Sequence, residues 1–170
     1  QLKNKRTDLN YKLIRGNVDT RIKKLNENLY DAIILAYAGI NFLNLNKHIS
    51  EIFSIQEIIP SAGQGVIALQ CKNDDDYVKN ILHKINDEKT FKSVQAERNV
   101  LKVLEGDCET AVGAISLINN ENITLEAELF SLDGKERFYC KSSKDIKHAA
   151  ELGIEIGENL KKQSKGSYKK

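Results

Sequence analysis

The 170-residue sequence contains no methionine and no tryptophan, and its only proline is Pro60. It has no apolar run approaching the roughly 18 residues that a transmembrane helix needs, so no membrane span is expected. Residues 1–10 are polar and lack the apolar core of a signal peptide. A natural reading frame needs an initiator, so the absence of methionine and the start at Gln1 indicate a fragment or a processed piece.

The sequence also lacks the patterns of a disulfide framework or a metal site. Its cysteines are Cys71, Cys108 and Cys140, an odd number at wide and unrelated spacing. Neither charge sign is in excess: 26 Lys and Arg face 24 Asp and Glu, a net charge of +2. A dedicated nucleic-acid-binding protein usually has a strong basic excess. We therefore expect a cytoplasmic protein that binds no metal, nucleic acid or membrane.

The first half of the sequence has the pattern of an α/β unit. The composition, 41% hydrophobic and 29% charged, is that of a chain that folds around a core. Strands are predicted at 11–15 and 30–37 around a helix at 18–28, and the apolar run at 32–36 is typical of a strand buried on both faces. This order is a βαβ unit. A broken helix at 40–53 and a further strand at 66–71 are also predicted.

The second half predicts a small α+β domain built from a three-stranded antiparallel sheet with helices. Asp133-Gly134 is a strong hairpin signal between two of the strands. The tail from residue 163 is rich in Lys, Ser and Gly and is expected to be frayed. The predicted helices are 74–85, 90–104 and 144–161, and the predicted strands are 112–118, 123–132 and 135–142.

Arg15 and Arg21 flank a predicted strand-to-helix turn in which Asn17 is a plausible helix N-cap. Backbone N–H groups at a helix N-terminus favour anions, and arginine binds a carboxylate through two parallel hydrogen bonds. The spacing is consistent with a carboxylate or phosphate site. It is also consistent with two solvated arginines beside a helix cap, and the spacing alone favours that interpretation.

Cys108 lies in the loop between a predicted helix and a predicted strand. Most cysteines are small core residues, whereas a loop cysteine between acidic neighbours is less typical of a core. Asp107 and Glu109 should raise the thiol pKa, which argues against a fast free thiolate. The residues alone leave both interpretations open. Cys71 and Cys140 fall in predicted strands, and we interpret both as structural.

Five segments in register resemble the porphobilinogen deaminase (hydroxymethylbilane synthase) family. They extend over nearly the whole chain, and their agreement in order and spacing is far more specific than any one motif. The segments are LIRGNVDTR at 13–21, YDAIILAYAG at 30–39, PSAGQG at 60–65, AER at 96–98 and LEGDC at 104–108.

The resemblance implies a transferase of tetrapyrrole and haem biosynthesis. Members condense four porphobilinogen molecules stepwise into hydroxymethylbilane and release ammonia. They carry a dipyrromethane cofactor bound through a thioether to the cysteine that aligns with Cys108. Arg15 and Arg21 match arginines that pair with carboxylates of the cofactor and of the growing chain, and Gln64 falls in a segment near the active-site cleft. The full enzyme is expected to be a monomer.

The resemblance also implies a division of the chain. Residues 1–65 would be the later part of a second α/β lobe resembling periplasmic binding proteins. Residues 66–87 would be a strand and helix of the first lobe, and residues 88–170 the C-terminal α+β domain with the cofactor cysteine. The family's catalytic aspartate belongs to the part of the first lobe that is missing here. No catalytic residue is therefore assigned in this chain, which alone is expected to be inactive.

Two departures from the family pattern favour an alternative. Asp107 replaces a glycine beside the cofactor cysteine, which matters if that position needs a positive φ. Phe42 stands where the family places an arginine, so one carboxylate contact is lost. The alternative is a degenerate, non-catalytic module that binds small anions.

Overall fold

The computed structural model describes residues 1–106 and 110–169. Within them, short helices and long connections make up the first half, and longer helices with a sheet make up the second. The main elements are α1 (Leu2–Lys5), α2 (Val18–Asn26), α3 (Tyr37–Phe42), α4 (Asp76–Ile85), α5 (Glu88–Leu104), β1 (Val112–Asn119), β2 (Asn122–Phe130), β3 (Arg137–Asp145) and α6 (Ala149–Ser164). Two short 3-10 helices lie at Asn46–His48 and Ile146–His148.

The second half confirms the predicted α+β unit. The three strands form one antiparallel sheet in the order β1-β2-β3, with Ala127 paired to Ala114 on one side and to Cys140 on the other. Alternate residues of β2 point to one face, as a pleated strand requires. On that face the buried residues of β2 are Ile123, Leu125, Ala127 and Leu129, each 0% exposed.

Helices α5 and α6 pack together over this sheet face and close the core. Their close approach depends on small residues. A Cβ added to Gly153 in α6 would lie only 2.1 Å from the carbonyl oxygen of Ala96 in α5. Leu104 on α5 and Leu152, Ile156 and Leu160 on α6 are all 0% exposed. The helix pair and the sheet therefore form the main apolar core of the described residues.

The predicted turn at Asp133-Gly134 is confirmed between β2 and β3. Gly134 has a φ of +74°, a left-handed value that favours glycine. The Asp133 carboxylate accepts hydrogen bonds from the Ser131 hydroxyl at 2.6 Å and from the Lys135 N–H at 3.1 Å. These local bonds stabilise the turn because they satisfy polar groups that have left the strand ladder.

The prediction of a frayed tail is wrong. Helix α6 continues to Ser164, and the tail beyond it packs back onto the α+β unit. Tyr168 is only 5% exposed and belongs to the core. The carbonyl oxygen of Ser167 accepts a hydrogen bond from the N–H of Leu132 at 3.0 Å. The polar composition of the tail concealed the one aromatic side chain that anchors it.

The three strands predicted in the first half are absent from the structure. Residues 11–15, 30–36 and 66–71 contain neither strand nor helix, and Tyr37 begins α3. A strand needs a neighbouring strand to satisfy its backbone N–H and C=O groups, and no described segment pairs with these three. The predicted helix between the first two is confirmed as α2, whereas 40–53 holds only the end of α3 and a 3-10 turn.

Residues 59 and 60 join the first half to the edge of the sheet. Ile59 is 3% exposed, and the carbonyl oxygen of Pro60 accepts a hydrogen bond from the N–H of Ala114 in β1 at 2.9 Å. The Gln1 side chain donates to the Ile59 carbonyl at 2.6 Å and accepts from its N–H at 2.8 Å. A Cβ on Gly113 would lie 2.7 Å from the Ile59 carbonyl oxygen, so glycine permits this approach.

Candidate functional site

The two arginines predicted to bind an anion lie on the turn that leads into α2. Gly16 has a φ of +122°, and a Cβ at this position would lie 2.8 Å from the Cγ2 atom of Thr20. The Arg21 side chain folds back over the turn, where its Nε donates to the Gly16 carbonyl oxygen at 2.8 Å. The Lys24 ammonium donates to the carbonyl oxygen of Arg15 at 2.9 Å. The turn is thus fixed by side chains from the helix that follows it.

The charges on this turn suit a carboxylate ligand. Arg15 is exposed and Arg21 is half-buried. Because Arg21 uses its Nε for the Gly16 carbonyl, its two terminal nitrogens remain for a planar anion. Asn17 caps α2 in an extended conformation, but its side chain makes no capping hydrogen bond. Asp19 in the first turn of α2 is the one acid that competes with an incoming anion there.

Gln64 lies in a turn at residues 61–65 that packs on the α+β unit. Its side chain is exposed, and its N–H donates to the carbonyl oxygen of Ser61 at 3.0 Å. Gly63 and Gly65 on either side have φ values of +73° and +80°, which explains the two glycines of this motif. Within residues 1–106 and 110–169, no hydrogen bond joins Gln64 to Arg15 or Arg21. The structure therefore brings the two arginines together on one turn, with Gln64 on another.

Sequence reasoning missed the role of Glu97, which holds the 61–65 turn in place. Glu97 lies on α5 and is 7% exposed. One carboxylate oxygen accepts a hydrogen bond from the Gly63 N–H at 2.8 Å. The other accepts from both the N–H and the hydroxyl of Ser116 in β1, each at 2.8 Å. The available signal was an acidic residue on the apolar face of a helix, next to Ala96.

Cys108 and Asp107 lie outside the described residues, so the structure does not test the cofactor attachment or the glycine replacement. The helix before them ends in a defined way. Glu105 follows α5 with a φ of +54° and binds the ammonium groups of Lys169 at 2.5 Å and Lys161 at 3.2 Å. Hydrogen bonds from Lys169 and Lys161 hold the pKa of Glu105 below its ordinary value.

The remaining sequence candidates are placed as follows. Phe42 ends α3 and is 85% exposed, so no apolar packing accounts for a phenylalanine there. Cys140 lies in β3 against the core, as its structural interpretation requires, and burial raises its thiol pKa. Cys71 is half-buried but lies outside any strand, contrary to expectation.

Two general features bear on the class of site. Among residues 1–106 and 110–169, no group of three or more His, Cys, Asp or Glu side chains is arranged to hold a metal ion. None of the described helices combines the length and the apolar character needed to cross a bilayer.

Comparison with known proteins yields two matching family models. The model of the porphobilinogen deaminase dipyrromethane cofactor binding domain matches residues 1–80. The model of the porphobilinogen deaminase C-terminal domain matches residues 91–162. The first match contains Arg15, Arg21 and Gln64, and the second contains Glu97 and Cys108.

Curated relatives carry the same name. The porphobilinogen deaminase of Desulforamulus reducens is 39% identical over 160 residues, which cover 94% of this chain and 52% of the relative. That of Prochlorococcus marinus strain MIT 9515 is 38% identical over 163 residues, or 96% of this chain and 52% of the relative. That of Caldicellulosiruptor saccharolyticus is 40% identical over 144 residues, or 85% and 49%. The chain spans about half the length of the curated relatives it matches.

Proposed function

Because the chain belongs to the porphobilinogen deaminase family, we propose that it forms part of a working hydroxymethylbilane synthase. This transferase joins four porphobilinogen molecules stepwise into hydroxymethylbilane and releases ammonia. The observation that carries the proposal is the α2 turn, where Arg21 is fixed by the Gly16 carbonyl at 2.8 Å and keeps its terminal nitrogens for a carboxylate. Porphobilinogen carries two carboxylates, which are the ligands that such a fork prefers.

Dipyrromethane is the cofactor of this family's matched domain, and we propose that Cys108 holds it through a thioether. It supplies the pyrrole end to which new units are added. The cofactor also carries carboxylates, and the exposed Arg15 with the half-buried Arg21 forms a cationic surface that fits them. The sulfur of Cys108 has only to react once and then hold, so the acidic neighbours Asp107 and Glu109 are compatible with this role.

Three of the described residues, Arg15, Arg21 and Gln64, would bind the substrate. Arg21 is oriented by its bond to the Gly16 carbonyl, so part of its side-chain entropy is already lost before a carboxylate arrives. Arg15, one residue before Gly16, adds a second positive charge. Gln64 adds a neutral amide that can both donate and accept. The resemblance to the family implies a catalytic aspartate in the first lobe, and we propose no residue of this chain for that role.

The proposed domain division follows from the same family. Residues 1–65 and 66–87 would belong to two lobes, and residues 88–170 to the α+β domain. In support, the first half leaves large apolar side chains uncovered, among them Leu13 and Ile67, each 87% exposed. Both lie in segments predicted as strands, so strand partners supplied by the rest of the protein would cover them. We further propose a cytoplasmic monomer, and no deaminase activity for these 170 residues alone.

A second candidate is the non-catalytic module that binds small anions. The exposed Phe42 favours it, because an aromatic ring replaces a cation at a position where the family has an arginine. It predicts carboxylate binding at the α2 turn without a covalent cofactor. The presence or absence of a covalently bound cofactor therefore distinguishes the two candidate functions.

The test is the intact mass of the full natural protein that contains this chain. We expect an added mass equal to a dipyrromethane on the wild type, and none on the Cys108→Ala variant. Cys71→Ala and Cys140→Ala are the matched controls and should keep the added mass. A wild-type protein that stays unmodified after incubation with porphobilinogen would support the anion-binding module instead.

A further inference from the structure

Glu97 is a buried carboxylate to which the proposed function assigns no task. Its three hydrogen bonds come from neutral donors, namely the N–H of Gly63 and the N–H and hydroxyl of Ser116. No cation pairs with it among the residues that the structure describes. A buried charge is costly unless hydrogen bonds replace its hydration, and here one carboxylate oxygen accepts two hydrogen bonds and the other accepts one. The carboxylate thereby ties three segments together: α5, β1 and the 61–65 turn.

The Gly63 contact marks the place where the chain leaves the α+β unit. Before it, Ile59 is buried, the Pro60 carbonyl is bonded to β1, and Ala62 packs against the core. After it, every residue from 64 to 70 is exposed. Gly63 and Gly65 have positive φ values, and a Cβ on either would meet nothing within 4 Å. The bond from Gly63 to Glu97 is therefore the last anchor before a stretch with few restraints.

We propose that Glu97 is a positioning residue that fixes the 61–65 turn on the α+β unit and thereby sets the location of Gln64. Gln64 is the residue next to the anchored N–H, so its backbone can move little while that bond is intact. Without the bond, the two glycines allow the turn to sample several conformations, and Gln64 spends less time where substrate needs it. The catalytic consequence rests on the proposed function, whereas the anchoring itself does not.

The Glu97→Gln variant tests the hydrogen bond to Gly63 while changing little else in the structure. Glutamine has the same shape but only one acceptor oxygen. Ser116 presents two donors, so the oxygen remains on that side and the amide NH₂ faces the Gly63 N–H, donor against donor. The matched control is Ser116→Ala, which removes a hydroxyl donor to Glu97 and leaves the Gly63 bond in place. Should Glu97→Gln not fold, Glu97→Asp replaces it, because its shorter side chain cannot span both partners.

The first readout is the amide exchange rate of Gly63 in the full natural protein, measured by NMR. We expect Glu97→Gln to speed this exchange about tenfold or more, because a bond to a charged acceptor is lost. Ser116→Ala should leave the Gly63 rate within about twofold, and the core amide of Leu125 should stay protected in both variants. Unchanged exchange of Gly63 in Glu97→Gln, or equal acceleration in both variants, would overturn the proposal.

The second readout is the steady-state formation of bilane from porphobilinogen. In Glu97→Gln we expect KM to rise several-fold with a smaller change in kcat, since binding geometry is loosened and no reacting group is altered. Fast exchange with an unchanged KM would refute the link to Gln64. A wild-type protein that makes no bilane refutes the proposed function, and the exchange rates then still decide whether Glu97 anchors the turn.

Discussion

The hydroxyl of Tyr168 donates a hydrogen bond to the carbonyl oxygen of Leu104, 3.1 Å away, although the two residues are 64 positions apart. Leu104 is the last residue of α5, and Tyr168 lies beyond the end of α6. The final carbonyl groups of a helix have no partner within the helix itself. The tail therefore satisfies the last carbonyl oxygen of α5, four residues before Cys108 in the sequence.

Tyr168→Phe should weaken the fold while preserving its packing. We expect a loss of about 1 kcal/mol in the free energy of unfolding, because the hydroxyl bond is lost and a buried carbonyl oxygen keeps no replacement. Urea unfolding followed by circular dichroism measures it. Tyr77→Phe is the control, since Tyr77 is 77% exposed and should change stability very little. Equal stability of the two variants would mean that the hydrogen bond from the Tyr168 hydroxyl to Leu104 contributes nothing measurable.

Gly153→Ala should destabilise the protein even though alanine favours helices. The new Cβ would lie 2.1 Å from the Ala96 carbonyl oxygen, so α5 and α6 must separate. Overpacking of this kind costs about 1–3 kcal/mol, more than the roughly 1 kcal/mol of helix propensity that alanine restores.

Gly39→Ala is the matched control for this substitution, because the nearest atom to its new Cβ would be Val18 Cγ2 at an ordinary 3.8 Å. Its thermal midpoint should stay constant or rise. A Gly153→Ala midpoint equal to that of wild type would contradict the close approach of α5 and α6.

Arg137→Ala should lower the free energy of unfolding, because it leaves a buried charge in the sheet without a partner. The Glu128 side chain is 4% exposed, and its Oε2 binds Arg137 Nε at 2.6 Å. Removing the arginine leaves a buried carboxylate without its cation, which we expect to cost about 2 kcal/mol, because the half-exposed site admits some water. Adding Glu128→Gln should recover part of that loss. Arg6→Ala is the control: its partner Asp8 is exposed, so urea unfolding should detect a much smaller change.

Asp87 should stabilise α5 in a manner that depends on pH. Its carboxylate accepts the Thr90 N–H at 2.7 Å, and this bond holds the pKa of Asp87 below its ordinary value. A carboxyl group whose pKa is lower in the folded state stabilises above its unfolded pKa, near about 4, and loses that contribution as the pH falls through the folded pKa. The difference in melting temperature between wild type and Asp87→Ala should therefore be constant at neutral pH and shrink below about pH 4.

Asp87→Ser is the matched control for the charge. Serine also caps a helix but does not titrate, so the difference between Asp87→Ser and Asp87→Ala should be independent of pH. A difference between wild type and Asp87→Ala that is the same at pH 3 and pH 7 would show that the carboxylate charge plays no part.

Local signals account for what could be predicted in the second half. Asp133-Gly134 supplies a turn carboxylate and a left-handed glycine within two residues, and the structure has the turn there. The alternation of Ile123, Leu125 and Ala127 is a period-two pattern that only a strand buries on one face. Such patterns depend only on residues that are close in the sequence, so they can be recognised before the tertiary structure is known.

The predictions that depend on contacts between distant parts of the chain are wrong. The apolar run at 32–36 resembles a buried strand, but these residues are exposed or half-buried and unpaired in the structure. Tyr168 stands in a polar tail, and nothing nearby in sequence indicates that its hydroxyl meets Leu104. Strand formation and burial both require a second segment to pair or pack with, and the local sequence does not indicate which segment that is.

By itself the sequence determined the family, the helices and strands of the α+β unit, and the candidate residues Arg15, Arg21, Gln64 and Cys108. Only the tertiary structure decided that Arg21 binds the Gly16 carbonyl and that Glu97 joins Gly63 to Ser116. The physical reason is that a motif fixes residue types and their spacing along the chain. A hydrogen bond between segments 34 positions apart forms only when packing brings donor and acceptor to within about 3 Å.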